Sequence, residues 1–595
     1  MDTAESRATA SRDAPSWLEV EEAAPFTVTK TTKAAATGAK QWSTVVNATL
    51  VAVIMFLPPL LILGGRLGAP VVWIRSTVAG IGTQAQRGKG TSSSVLFKVE
   101  TFSHGFEVGV ELESKKDVLL GGLLVPGFDE QSCASRYQSL YYYKNMTRAP
   151  SPYLIKRLRE QEALQRRCGP GTEPYARASD RLRAGATEGD DVDNVDGCSY
   201  LVVISYRGLA NRVLAATSAF LYALLTNRVL LVDPGQGNTL PRLFCEPFPG
   251  ATWLLPQDFP LVNFRDLDES APEAYGNVAL NRSGNVSGLR FVYIHLDHAA
   301  SPANLLVYCD DHRESSFLHR ALWAVLRADQ YIAAGLFFNP AYREELDRLF
   351  PRKDAVFYVL SRYLLHPTND IWGMVTRFYN AYLRNADERL GIQIRVFDSD
   401  KPLQRVLDQI LGCTSQERLL PAVVNNTGAP AIPTAGGGRS KAVLVTGLSS
   451  WYHDSIREMY WRSAAENGEV VSLHQPSHEG RQHWFDGDQD MKALAEMYLL
   501  SLTDRIVTSG WSTFGYVGSG LGGLTPYIMF RPMHGELPRP PCTRAMSMEP
   551  CSFAVPHFEC TRKEIGRDVM QKDIPHVRAC EDLLWGVKLT DDDTV

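Results

Sequence analysis

At 595 residues the chain is too long for one hydrophobic core, so two large domains with appendages are expected. A hydrophobic fraction of 45% and a charged fraction of 21% exclude a disordered or fibrous protein. A net charge of −5 gives no electrostatic footprint for a nucleic-acid partner.

Residues 1–43 are rich in Ala, Thr, Ser and charge without periodicity, which predicts a disordered cytosolic tail. Gln41 to Gly65 carries no charged residue, and Val45 to Leu63 is mostly apolar. That length matches a bilayer core of roughly 30 Å, and a single transmembrane anchor is expected over 44–65. A cleaved signal peptide is the competing reading, but the polar stretch before the segment is too long for an n-region. Lys30, Lys33 and Lys40 precede the span and Arg66 and Arg75 follow it, which favours a cytosolic N-terminus. Residues 66–115, with frequent Gly, Ser and Thr, read as a stem. All ten cysteines follow the span, widely scattered and without metal spacing, so disulfides in an oxidising lumen are expected, their pairing open. Sequons at Asn145, Asn281, Asn285 and Asn425 agree with a lumenal body.

Within the body, Tyr200–Tyr206 is an apolar run of strand length. The turn Gly208–Asn211 follows, then helical spacing of Val213, Leu214, Thr217, Phe220, Leu221, Leu224 and Leu225, then a second buried strand at Arg228–Val232. A second alternating stretch has strands at Gly391–Phe397, Ala442–Thr446, Val470–His474 and Ile506–Ser509. Helical patterns near Leu403–Leu411, Ser455–Ala465 and Met491–Leu502 separate them. Such alternation predicts parallel sheets covered on both faces. The expected fold is α/β, two Rossmann-like domains facing across a cleft, with a boundary near Arg384–Leu390. Thr427–Arg439 is a Pro/Gly-rich loop and not a phosphate loop, because no Gly-Lys-Ser/Thr follows.

Ligands of doubly wound sheets bind beyond the carboxyl ends of the strands. Three places carry polar residues there. Arg395 stands near the end of an apolar strand, where burial demands an anionic partner, either a ligand phosphate or an internal carboxylate. In Ser509–Tyr516, Ser512 and Thr513 sit where a strand runs into a helix; they suit a diphosphate or serve as a plain N-cap. In Gly208–Arg212, Asn211 and Arg212 contact a ligand or fix the turn. Asp191-Val192-Asp193 has the letters of a metal motif but lies in an acidic loop before a strand, not at a strand exit. His295 and His298 read as strand neighbours on opposite faces. Asp591-Asp592-Asp593 reads as a solvated acidic tip.

Together these segments resemble the plant xyloglucan fucosyltransferase family from about Leu119 to Leu589. The resemblance rests on LLGGLLVPGFDEQSCASRYQS (119–139), HPTNDIWG (366–373), GIQIRVF (391–397), HQPSHEG (474–480), WSTFGYV (511–517), RAMSMEPC (544–551) and PHVRACEDLLWGVKL (575–589), among others, in one order. It implies a single-pass type II Golgi membrane protein with a lumenal, GT-B-like body. The implied domains are 116–386 on the acceptor side, 387–540 binding GDP-fucose, and a C-terminal segment 541–595 packing back across both. The implied reaction is inverting, metal-independent transfer of fucose from GDP-L-fucose to O2 of a terminal galactose on a cell-wall polysaccharide. Partners are then the donor, a galactosylated acceptor and the Golgi membrane, with other Golgi transferases or a second copy further candidates.

Arg395 falls on the family's donor-strand arginine. Trp511, Ser512, Thr513 and Phe514 fall on its second donor segment, and Asn211 and Arg212 on its turn beside the cleft. Asp329 matches a family aspartate near the acceptor, a base there or a structural helix cap; water-relayed proton loss is the alternative. One departure stands out: the family's turn is Gly-Leu-Gly-Asn-Arg, and this chain has Ala210 at the third position. A glycine there suggests a left-handed backbone, which alanine adopts at a cost of about 1–2 kcal/mol, or a close backbone approach, which alanine allows poorly. A non-catalytic carbohydrate-binding protein and transfer to arabinogalactan-protein glycans are the competing functions.

Overall fold

Two clusters of short apolar strands, each followed by a helix, organise the computed structural model. It describes residues 119–143, 148–185, 197–280, 289–309, 317–397, 399, 401–424, 438–532, 536–556, 574–583 and 585–591. All belong to one compact unit, Val110–Val595. The expected tail, span and stem, Asp191–Asp193, the four sequons and most of the 427–439 loop lie outside the described residues.

The first lobe opens with α1 (Pro152–Cys168) and α2 (Glu173–Ala184). Ser151 and Thr172 cap them, accepting from the Leu154 and Tyr175 N–H groups, and proline stands in each first turn. Strand β1 (Tyr200–Ile204) leads into α3 (Leu209–Thr226), which ends at left-handed Asn227 and turns into β2 (Val229–Val232). Two further strands, β3 (Val292–His295) and β4 (Trp323–Arg327), complete a parallel sheet of order β2-β1-β4-β3. Val202 pairs with Leu231 on one side and Val325 on the other. Every residue of β1 and β2 is buried, the composition a sheet covered on both faces requires. Helix α3 is long and apolar enough to cross a membrane, but 83% of it is buried inside the protein, so it is a core helix.

Helices α4 (Val356–Leu364) and α5 (Asn369–Phe378) lead to the second lobe. There β5 (Glu388–Gln393), α6 (Gln404–Gln416), β6 (Ser440–Thr446), α7 (Trp451–Arg462), β7 (Val470–His474), α8 (Gly487–Ser501), β8 (Arg505–Ser509), α9 (Thr513–Gly522) and β9 (Tyr527–Met529) alternate strictly. With β10 (Cys542–Arg544) they form a sheet of order β10-β9-β8-β5-β6-β7, parallel except for the β10–β9 pair. The strand expected over 391–397 begins and ends earlier, at Gln393, so Arg395 lies in the exit loop and not in the strand.

One apolar cluster runs through both lobes, from Leu201 and Leu326 through Phe220 and Phe357 to Leu494, Tyr498 and Val517. Helix α3 packs on α4 and α9, and α9 packs on α8. Strands β11 (Val577–Ala579) and β12 (Val587–Leu589) form an antiparallel pair in the C-terminal segment. That segment is tied to the first lobe: the Glu549 carboxylate accepts from Tyr331 Oη at 2.7 Å and Phe357 N at 2.7 Å. Asp591 is no solvated tip. It is buried, accepts from Lys353 N at 2.7 Å and pairs with Arg352 at 2.6 Å. Disulfides join Cys133 to Cys245, Cys168 to Cys198, Cys413 to Cys542 and Cys551 to Cys580, and Cys309 is also disulfide-bonded.

Candidate active site

In an open α/β sheet the crevice forms where successive connections run to opposite sides. Each lobe has one such switch point. In the second sheet, the chain leaves β5 toward β6 and β7, then returns to β8 and β9 on the other side. In the first, β2 lies on one side of β1, and β4 with β3 on the other. The loops leaving β5 and β8, and those leaving β1 and β4, therefore hold the candidate site.

At the second switch point, the Arg395 N–H donates to Ser509 Oγ at 2.9 Å, stitching the two exit loops together. The guanidinium is half-buried and makes no hydrogen bond or ion pair among the described residues. Burial pushes its pKa down. An internal carboxylate is thus not found among the described residues, and the charge lines an open cleft. Phe397, Arg405, Gly510, Phe530 and Arg531 also line that cleft, and the Arg531 guanidinium lies 5.0 Å from the Trp511 ring.

Helix α9 begins at the rim. Its N-cap is Ser512, whose side chain makes no capping hydrogen bond, which leaves its hydroxyl and the first-turn N–H groups as donors. Gly515 lets the helix start sit this close to the sheet: a Cβ there would lie 1.7 Å from Thr508 Oγ1. Trp511 is left-handed, with φ 62°, a conformation that costs a bulky residue energy. The C-terminal segment holds it. Its N–H donates to Asp582 Oδ2 at 2.8 Å, its indole N–H to the Asp582 carbonyl, and its ring meets Trp585 edge-on. The same carboxylate oxygen accepts from Tyr516 Oη at 2.5 Å. Phe514 is partly buried against the shared core.

At the first switch point, Asp329 follows β4 and caps no helix. Its carboxylate accepts from His298 N at 2.9 Å and His298 Nδ1 at 2.6 Å, and Arg207 Nε lies 3.8 Å away. A carboxylate only accepts, so Nδ1 carries the proton and Nε2 is left bare, with no partner among the described residues. The hydrogen bond and the charge of Asp329 hold the His298 pKa above its ordinary value, against burial. His295 belongs to another pair: its Nε2 is 3.0 Å from Asp297 Oδ2. Burial alone would raise the Asp297 pKa, but the His295 hydrogen bond and charge outweigh it and bring it to about 2. Strand β3 stops at His295, so His298 lies in the exit loop, and the strand alternation used above does not extend to it.

Asn211 joins the two switch points. Its Nδ2 donates to the Asp329 carbonyl at 2.7 Å, and its Oδ1 accepts from Thr513 Oγ1 at 2.9 Å. Arg212 points elsewhere. It is buried, donates to Asp490 Oδ2 at 2.6 Å and Thr239 Oγ1 at 3.1 Å, and lies 4.9 Å from the Phe485 ring. It braces the first lobe against α8. Ala210 is an ordinary first-turn residue of α3; the left-handed residue of this turn is Arg207, φ 64°. Residue 210 therefore needs no left-handed backbone, and alanine carries no such strain there.

Of the expected residues, Asn211, Asp329 and Thr513 are joined by hydrogen bonds, Ser512 adjoins Thr513, and Arg395 lines the cleft and is bonded to Ser509 on the strand that leads to them, while Trp511 and Arg212 are held in place by other residues. Three further candidate residues were missed. His298 was visible in YIHLDH but placed on a strand. Arg531 ends the strand-like run YIMF, and Asp582 lay in a recognised segment with no local sign of its role.

Comparison with known proteins gives one answer. The family model described as Xyloglucan fucosyltransferase matches residues 92–561. Galactoside 2-alpha-L-fucosyltransferase of Pisum sativum is 50% identical over 504 residues, covering 84% of this chain and 87% of that one. The protein of the same name from Arabidopsis thaliana is 48% identical over 479 residues, covering 80% and 83%. A solved structure of a mutant of Arabidopsis thaliana FUT1 in complex with GDP superposes with a TM-score of 0.71 at 46% identity, over 80% of this chain and all of that one.

Proposed function

The chain belongs to the xyloglucan fucosyltransferase family, and from that premise we propose that it transfers L-fucose from GDP-L-fucose to O2 of a terminal galactose, xyloglucan being the acceptor. The supporting observation is the pair of bridged switch points. One carries a guanidinium without a carboxylate and an open helix N-terminus; the other carries a histidine with a bare Nε2.

Breaking the bond between fucose C1 and the phosphate oxygen leaves negative charge on GDP and an oxocarbenium-like sugar. Arg395 meets that charge with a fork that binds two phosphate oxygens and stays protonated. The Ser512 hydroxyl and the first-turn N–H groups of α9 add fixed donors, which need no reorganisation during reaction. Fixed charge of this kind supports a reaction that proceeds without a metal. As the galactose O2–C1 bond forms, the hydroxyl proton passes to His298 Nε2, and Asp329 stabilises the imidazolium and fixes the tautomer. Asp329 is then a positioning residue. Attack from the face opposite GDP inverts the anomeric carbon.

The same reading assigns 116–386 to the acceptor and 387–540 to the donor, and a lumenal Golgi body behind a single N-terminal anchor. The non-catalytic alternative rested on Ala210, whose helical backbone carries no left-handed strain. The test is incubation of the purified protein with GDP-fucose and a panel of galactose-terminated oligosaccharides, with and without EDTA. A fucosylated xyloglucan oligosaccharide of inverted configuration, formed equally in both, is expected. Transfer only to arabinogalactan glycans would move the acceptor, and transfer only with added Mn²⁺ would overturn the mechanism.

A further inference from the structure

On the reading that this site fucosylates galactose, we propose that Trp484 is the surface on which the acceptor sugar stacks beside His298. Trp484 is 51% exposed, although the chain around it is pinned. The His483 N–H donates to Gln489 Oε1 at 2.5 Å, and Gln489 Nε2 donates to the Arg481 carbonyl at 2.9 Å. Asp486 caps α8, accepting from the N–H groups of Asp488 and Gln489. Phe485 is left-handed, with φ 57°, and its ring lies against Gly235 of the first lobe and under Arg212. A phenylalanine in that conformation is costly. With Phe485 turned inward and the flanking backbone bonded, the indole is presented outward on a fixed base.

It is presented next to the candidate chemistry. Arg207, itself left-handed, has its guanidinium 5.6 Å from the Trp484 ring and 4.8 Å from the Tyr206 ring, and its Nε is 3.8 Å from Asp329 Oδ2. The indole and the His298–Asp329 pair are thus within reach of one arginine side chain. A separation of 5.6 Å is near the outer limit of about 6 Å for a cation–π contact, and half of the Trp484 surface stays open to a ligand. A galactopyranose suits that face. Its axial O4 leaves the C–H groups at C3, C4 and C5 together on one side, and these weakly positive groups are drawn to the negative face of an aromatic ring. Stacking would hold the ring by its apolar side and leave O2 at its edge, free to meet His298 Nε2. This makes Trp484 a determinant of acceptor binding, contributed by the donor lobe.

The experiment uses the full chain with Trp484→Ala and Trp484→Phe, a galactose-terminated xyloglucan oligosaccharide as acceptor, and GDP. We expect the acceptor KM to rise about tenfold in Trp484→Ala and no more than about threefold in Trp484→Phe, with GDP affinity and melting temperature as in the parent. An unchanged acceptor KM in Trp484→Ala would overturn the proposal. So would a fall in melting temperature and GDP affinity without a rise in acceptor KM, because that identifies a clamp between the lobes. Failure of the parent protein to fucosylate any galactoside would instead remove the underlying reading, and this inference with it.

Discussion

The two switch points solve opposite electrostatic problems. At the end of β5 and β8, the Arg395 guanidinium has only the Phe397 ring, 5.5 Å away, and neither it nor the Ser512 hydroxyl has a hydrogen-bonding side-chain partner among the described residues; on the proposed function a diphosphate binds there. At the end of β1 and β4, the polar side chains are already engaged: His298 with Asp329, His295 with Asp297, and Asn211 with the Asp329 carbonyl. On the proposed function, a donor carrying two phosphates brings its own charge and the protein supplies the complement, whereas a neutral acceptor sugar brings none and the protein holds its own base in a fixed tautomer. Substitutions on the two sides should therefore fail differently.

The largest effect is expected on the prewired side. His298→Ala should lower kcat by about 10²–10⁴, the usual contribution of a positioned base, and leave GDP affinity unchanged. Asp329→Asn should be milder and should move the pH profile. Because Asp329 raises the His298 pKa above 6.5, its loss lowers that pKa. The acid limb of kcat/KM, which needs neutral imidazole, should shift to lower pH. An unshifted limb would disconnect His298 from the chemistry.

On the open side, Arg395→Ala and Arg395→Lys should both cost about 10²–10³ in rate, since lysine keeps the charge but loses the two-pronged geometry. GDP affinity should fall in parallel. Melting temperature without ligand should hold or rise, because an uncompensated half-buried cation is removed. A mutant that melts early yet binds GDP normally would show that the arginine is structural.

Asp582→Ala tests the brace behind the open side. It releases the Trp511 N–H and the Tyr516 hydroxyl, so the KM for GDP-fucose should rise about tenfold, with kcat at saturation changed less. Asp582→Asn, which keeps an acceptor, should recover part of the loss. Equal losses in both variants, accompanied by early melting, would reduce Asp582 to a folding contact.

The smallest effect separates the family's glycine from this chain's alanine. Since residue 210 is helical, Ala210→Gly should destabilise by no more than about 1 kcal/mol and leave activity within about twofold. A large gain in activity would mean that the side chain obstructs the cleft.

Sequence periodicity alone determined the alternating strands and helices, because each element's buried face is written in its own residues: YLVVI, AVLVT and RIVTS all became interior parallel strands. Strand exits and the family segments likewise singled out Arg395 and the Ser512–Thr513 helix start as candidates. Tertiary structure alone decided which polar side chains are free and which are engaged. Asn211 reaches Asp329 across 118 residues and Thr513 across 302, and Trp511 reaches Asp582 across 71. Arg212 and Arg395 look alike as isolated letters, yet one is closed by Asp490 from 278 residues away and the other is open. Local spacing constrains what lies within a turn or a strand; the state of a charge depends on what the fold brings within about 4 Å of it.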